Sequence, residues 1–215
     1  MITKVHIKGY KSICDQEIDL KAINILIGGN GIGKTNFIST FNLMRSLYDK
    51  ELQAYVLKKG GADALLYMGK KHTKKILLKY YCQDEDGQNR YAVSLEESQD
   101  RLIIEKTEFQ KSDNPISICD ENVKEASILD GFDSHWCMTS LIKQFKVYHF
   151  HDTGDTSPMK SFSSLHDNVS LKKDGSNIAA FLYYLQEKHP KHFQRIEKTV
   201  ESVSPFFESF CLAPN

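Results

Sequence analysis

Ile23-Asn24-Ile25-Leu26-Ile27 runs directly into Gly28-Gly29-Asn30-Gly31-Ile32-Gly33-Lys34-Thr35. The second stretch fits G-x-x-x-x-G-K-[ST], the phosphate-binding loop between a strand and a helix. Glycines let the backbone turn so that successive N–H groups converge on phosphate oxygens. A helix opening near Gly33 adds the partial positive charge of its N-terminus. The spacing puts Lys34 in reach of β- and γ-phosphates and offers the Thr35 hydroxyl as a Mg²⁺ ligand. Context decides against a plain glycine turn. The apolar run before the loop predicts a strand at 22–27. After it, Phe37, Phe41, Met44 and Tyr48 recur at i, i+4, i+7 and i+11, the stripe of an amphipathic helix at about 34–48. The chain is expected to bind a nucleoside triphosphate.

At 215 residues the chain is long enough to bury a sizeable core. An apolar fraction of 40% and a charged fraction of 26% are those of an ordinary globular protein. Lys+Arg and Asp+Glu both number 28, so the net charge of zero argues against a polyanion binder as a whole and leaves local patches open. The five cysteines are widely spaced, with no C-x-x-C pair, and read as reduced thiols. The alternating N-terminus, Met1 to Lys8, lacks the apolar segment of a signal peptide. A cytoplasmic location without a membrane partner is the expectation.

Two short strands, at 2–9 and 16–20, precede the strand of the loop. Their connections are too short for crossover helices, so they pair antiparallel or belong to an added sheet. Beyond the loop helix, 51–58 reads as a second helical piece, and Gly60-Gly61 interrupts it. Ala62–Gly69 forms a short apolar element, and Lys70-Lys71-His72-Thr73-Lys74-Lys75 a basic turn. Strands at 76–83, 90–96 and 102–109, joined by polar turns, form an antiparallel meander. A helix at 136–145 leads into a strand at 145–150. Helices follow from Ile178 to about Lys188 and from about His192 to Val203, and 206–212 looks like the start of a strand. The expected fold is α/β, with a loop-bearing lobe at 1–150 that includes a β-subdomain at about 74–110. A connecting and helical region at 151–215 completes it.

Ile7-Lys8-Gly9-Tyr10-Lys11-Ser12, then Asn24 to Gly28 and Asn30 to Phe37, resemble the N-terminus of RecF/SMC/OLD-like ATPases, an ABC-type group. A bacterial branch of RecF-like, AAA-type ATPases is more similar still. Gly60 to Leu66, Val147 to Thr153, Asp174 to Tyr183 and the tail from Pro205 match its characteristic stretches, and residues 84–135 are the least covered. The resemblance implies a P-loop NTPase lobe of the ABC-head kind, with ATP and Mg²⁺ as cofactors. It also implies a catalytic site shared by two heads, each ATP lying between the loop of one and an L-S-x-G-like signature loop of the other. An apolar strand ending in Asp-Glu and a later His complete that pattern. Neither L-S-x-G nor a trailing Asp-Glu strand occurs here, so the chain looks like the N-terminal half of such an ATPase.

The residues expected to hold nucleotide are Gly28, Asn30, Gly31, Gly33, Lys34, Thr35 and Asn36, with Lys34 and Thr35 also catalytic and Thr35 the metal ligand. The resemblance adds Lys11 and Ser12, whose turn approaches the nucleotide in similar heads; an exposed turn is the alternative. Ile116–Glu121 imitates an Asp-Glu strand, but it follows Pro115 and lies too early in the chain, so an edge strand with an acidic turn is favoured. His149, His151 and Asp152 either help position water or metal near the nucleotide or simply end a packed strand; a transition-metal site would need further converging ligands. Lys58-Lys59 and Lys70–Lys75 offer a phosphate-backbone contact or a solvated basic face, the latter favoured. The functional expectation is the ATP-binding part of an ATPase acting on DNA, in repair or phage defence, as a homodimer of heads. A self-contained kinase and a non-catalytic nucleotide-dependent interaction module are the alternatives.

Overall fold

The computed structural model describes residues 1–84, 87–111, 117–119, 137–148, 150 and 154–212. The chain divides into two compact units, Met1–Phe145 and Lys146–Asn215.

The first unit is built on a six-stranded sheet in the order β2-β1-β3-β4-β5-β6, antiparallel at every pairing. Its strands are β1 (Ile2–Tyr10), β2 (Ile13–Asp19), β3 (Lys75–Asp84), β4 (Gly87–Ser98), β5 (Arg101–Lys111) and β6 (Ser117–Cys119). Alternation sorts the two faces. Val5 and Ile7 of β1 are buried, as are Ile76, Leu78, Tyr80 and Cys82 of β3 and Tyr91, Val93 and Leu95 of β4. Lys4, His6 and Lys8 interleave with the buried residues of β1 and meet the acidic row of β2. Lys4 pairs with Glu17 at 3.6 Å and Asp19 at 3.5 Å, His6 Nε2 meets Asp15 at 2.7 Å, and Lys8 pairs with Asp15 at 3.1 Å. Cross-strand opposite charges of this kind favour the observed register.

Among the described residues, this unit carries the helices α1 (Lys34–Tyr48), α2 (Leu52–Lys58) and α3 (Cys137–Gln144). Phe37, Leu43, Met44 and Leu47 of α1 join Leu52 and Val56 of α2 and Ile142 of α3 in the same buried cluster as the sheet residues. Phe41 sits edge-on to Phe37, Tyr80 and Phe145, with ring centroids 5.6, 5.7 and 5.2 Å away. Arg45 ties α1 to the end of α3 by donating to the Lys143 carbonyl at 2.7 Å.

In the second unit, α4 (Ile178–Lys188) and α5 (Pro190–Val203) follow a single 3₁₀ turn at Pro158–Lys160. Pro190 occupies the first turn of α5, where a missing N–H costs nothing, so the proline opens the helix instead of only ending the previous one. Asn177 stands at the start of α4, but its buried amide serves the preceding loop. It donates to the carbonyls of Asp167 (2.8 Å) and Ser170 (2.9 Å) and accepts from the Lys172 N–H (2.8 Å).

Three expected strands are not formed. Residues 22–27 pair with nothing among the described residues, and Ile23, Ile25 and Ile27 are 83%, 79% and 88% exposed. An apolar alternation specifies a strand only where a neighbouring edge supplies hydrogen bonds, and no strand of this sheet lies alongside. Residues 145–148 and 150 are likewise outside any ladder, as are 206–212. Phe210 instead packs on α5, 6.1 Å from Phe193 and with its N–H donating to Glu197, and Phe207 sits edge-on to Phe210. The imitation Asp-Glu strand is β6, an edge strand on β5; its residues 120 and 121 lie outside the described residues, as do His149, His151 and Asp152.

Candidate phosphate-binding site

The loop after residue 27 turns through three glycines with positive φ, Gly28, Gly31 and Gly33. Gly33 is the decisive one. It is the N-cap of α1 at φ 107° and ψ 2°, a left-handed conformation that an L side chain resists. A Cβ there would also fall 2.9 Å from Ser12 Oγ, so the turn after β1 lies against the helix start.

No side chain caps α1. The N–H groups of Lys34, Thr35 and Asn36 have no carbonyl one turn back, and the first intrahelical bond runs from Phe37 N–H to Gly33 O at 2.9 Å. An uncapped helix start beside open glycines is where an anion is stabilised. Cβ positions at Gly29 and Gly31 would meet nothing within 4 Å, so the rim of the loop is open.

Lys34 Nζ donates to the carbonyls of Gly28 and Gly29, both at 2.7 Å. The ammonium is therefore held against the loop with its third proton unassigned, available to a phosphate oxygen. Thr35, one residue into the helix, is exposed. Its position suits a hydroxyl ligand for Mg²⁺ beside bound phosphate. Asn30 is exposed at the loop tip, whereas Asn36 is turned inward and donates from Nδ2 to Ser12 Oγ at 2.8 Å.

The β1–β2 turn that carries Lys11 and Ser12 is fastened from outside. Lys11 N–H donates to Leu65 O at 2.9 Å and Tyr67 N–H to Gly9 O at 3.0 Å, while Leu65 and Leu66 are buried. The Gly60–Gly69 segment thus clamps this turn beside α1. Ser12 faces the helix start. Lys11 adopts φ 50° and reaches one turn further along α1, with Nζ 3.4 Å from Ser39 Oγ and 5.4 Å from the centre of the Tyr10 ring. Partial burial, followed by the nearby Lys59 charge, lowers the Lys11 pKa from its ordinary value.

Behind this turn lies a polar network made by residues that the motif does not contain. The buried Tyr10 hydroxyl meets Ser39 Oγ at 2.9 Å and Tyr55 Oη at 3.3 Å, and Ser39 donates to Asn36 O at 2.8 Å. Burial pushes both tyrosine pKa values up, so the hydroxyls stay protonated. The network connects the end of β1, α2 and the first turns of α1. Ser39 and Tyr55 carry no sequence signal, since their meeting depends on long-range packing.

The basic run at 70–75 is largely neutralised. Lys70 pairs with Asp100 at 3.1 Å, Lys74 with Glu97 at 3.1 Å, and Lys75 with Glu105. Among the described residues no group of three or more His, Cys, Asp or Glu side chains could hold a metal ion, and no helix is long and apolar enough to cross a membrane.

Comparison with known proteins matches residues 1–208 to a family model described as AAA ATPase domain. Among curated proteins none matches.

Proposed function

The chain belongs to the AAA ATPase domain family, a family of nucleotide-binding ATPases, and from that premise we propose that Gly28–Thr35 is its ATP site and that it forms part of a RecF/SMC-like ATPase acting on DNA. The observation that carries the ATP site is the start of α1. An uncapped helix N-terminus, a left-handed Gly33 and a Lys34 ammonium share one loop. In this reading the loop N–H groups take the phosphate oxygens, Lys34 offsets the β- and γ-phosphate charge, and the Thr35 hydroxyl holds Mg²⁺. The metal would supply neutralisation of the charge that develops on the transferred phosphoryl group. Ser12 and Asn36 brace the helix start, and Lys11 adds positive charge from the adjoining turn.

The exposed 23–27 segment supports the further reading that this lobe is half of a catalytic site. Three isoleucines in alternation on an unpaired backbone suit a strand covered by another part of the same fold. Hydrolysis then needs a carboxylate to activate water. In this reading a second head in a homodimer supplies it.

Calorimetric titration with ATP, with and without Mg²⁺, tests the site. Lys34→Ala removes a charge-assisted hydrogen bond of about 1.5–3 kcal/mol, so affinity is expected to fall about 10- to 150-fold. Unchanged affinity in Lys34→Ala would exclude the loop as the phosphate site.

A further inference from the structure

We propose that one face of α5 is a docking surface for the phosphate backbone of double-stranded DNA. The proposal deepens the DNA-acting reading above and rests on it for its setting. At 3.6 residues per turn, Lys191, Arg195 and Lys198 fall within about 60° of one another around the helix axis. Gln194, Thr199 and Ser202 fill the spaces between and beside them, and the six line one shallow surface recess. All six are exposed. Among the described residues, none of the three cations makes an ion pair. This is the reverse of the 70–75 run, where Lys70, Lys74 and Lys75 are matched by acids. Glu197 of α5 is turned to the tail, where it accepts the Phe210 N–H, and Glu201 lies at the edge of the stripe.

The chemistry of the stripe selects the partner. Lys191 to Lys198 spans about 10 Å at 1.5 Å per residue, the axial length of about three phosphates on one strand of a duplex. Lys and Arg are the usual donors to phosphate oxygens, and the Gln194 amide beside them can add another. The Thr199 and Ser202 hydroxyls donate to the helix carbonyls of Arg195 (2.8 Å) and Thr199 (2.7 Å) and keep the face small and polar. A protein partner would be expected to find aromatic or aliphatic anchors at the centre of the patch, and the stripe has none. A lipid surface would need the apolar face of the helix, but Phe193 on that face is buried and packed against Phe210. Single strands are held by stacking on aromatic rings, which the stripe also lacks. B-form DNA has a major groove wide enough for a helix, whereas that of duplex RNA is deep and narrow.

The test is fluorescence anisotropy of the full chain with a short labelled DNA duplex, with duplex RNA and phosphatidylserine-containing vesicles as parallel arms. The triple variant Lys191→Gln, Arg195→Gln, Lys198→Gln is expected to lose at least about tenfold in DNA affinity. Its log–log salt slope should flatten by about 2.7 between about 50 and 200 mM salt, three lost contacts at about 0.9 each. The charge-preserving triple Lys191→Arg, Arg195→Lys, Lys198→Arg should bind as wild type, which separates lost charge from lost folding. Equal DNA binding by the Gln triple and the wild type, or no DNA binding by either, overturns the proposal. So does a larger effect on RNA or on vesicles. ATP affinity measured on the same proteins keeps the two readings apart, because the Gln triple leaves the loop untouched.

Discussion

Gly33 shapes the site beside the lysine, because it sets the direction of the first N–H groups of α1. Its left-handed backbone and its closeness to Ser12 Oγ both exclude a side chain. Gly33→Ala is expected to introduce about 1–2 kcal/mol of strain, or to rotate the loop away from its converging geometry. Either outcome should lower ATP affinity by about tenfold in a calorimetric titration, with the helix content by circular dichroism unchanged. Lys11 gives a second test, through pH. Its pKa is depressed by burial, so the unfolded chain binds the proton more tightly than the folded one. The penalty for burying the charge is present below the folded pKa and is relieved as pH rises through it towards the unfolded value. Replacing Lys11 by Met removes that titration. The stability of Lys11→Met relative to wild type, from urea melts, should therefore decline as pH rises towards the ordinary lysine value; a constant difference would mean that the amine is fully hydrated.

At the scale of elements, two isoleucine-containing segments ahead of the loop have opposite fates. Ile7 is fully buried in β1, whereas Ile25 is 79% exposed in the unpaired run before the loop. Ile7→Ala should cost about 2–5 kcal/mol in urea unfolding, the range for a large aliphatic residue removed from a packed core. Ile25→Lys should stay within about 0.5 kcal/mol, since it exchanges one exposed side chain for another. A large loss from Ile25→Lys would mean that the segment is covered in solution. The same contrast marks what the sequence could disclose. The meander β3–β5 was legible because alternation and polar turns are local, and α1 because its apolar stripe is local too. Whether 22–27 becomes a strand depends on a neighbour, which no local pattern contains. Residues 145–148 and 150, and 206–212, lie outside any ladder for the same reason, and Phe207 and Phe210 have rings to pack on instead. The glycine turn before α1 and the start of that helix were legible from the spacing. The Tyr10–Ser39–Tyr55 network behind them was not, because its members are brought together only by folding. The cations of α5 escaped notice because helical spacing scatters them along the sequence, whereas the conspicuous lysine run at 70–75 is the one that acids neutralise.

For the molecule as a whole, the arrangement of charge around the loop bears on whether one copy suffices. The loop presents an ammonium, three unpartnered helix N–H positions and an exposed hydroxyl, all suited to holding a triphosphate. In the two-headed reading a second copy supplies the carboxylate that orients an attacking water, so the chain alone is expected to bind ATP and to hydrolyse it slowly. Bound triphosphate on an open rim also presents a dense negative charge to whatever approaches it, and a second copy that covers this charge would be stabilised by ATP through mass action. Light scattering coupled to size exclusion is expected to give the monomer mass without nucleotide and twice that mass with Mg-ATP. Lys34→Ala should remain monomeric under both conditions, since it removes the charge that retains the nucleotide. A chain that binds ATP yet stays monomeric, and turns over in a Lys34-dependent way, would instead carry its catalytic groups within one copy. That result would favour a self-contained phosphotransferase over a shared head.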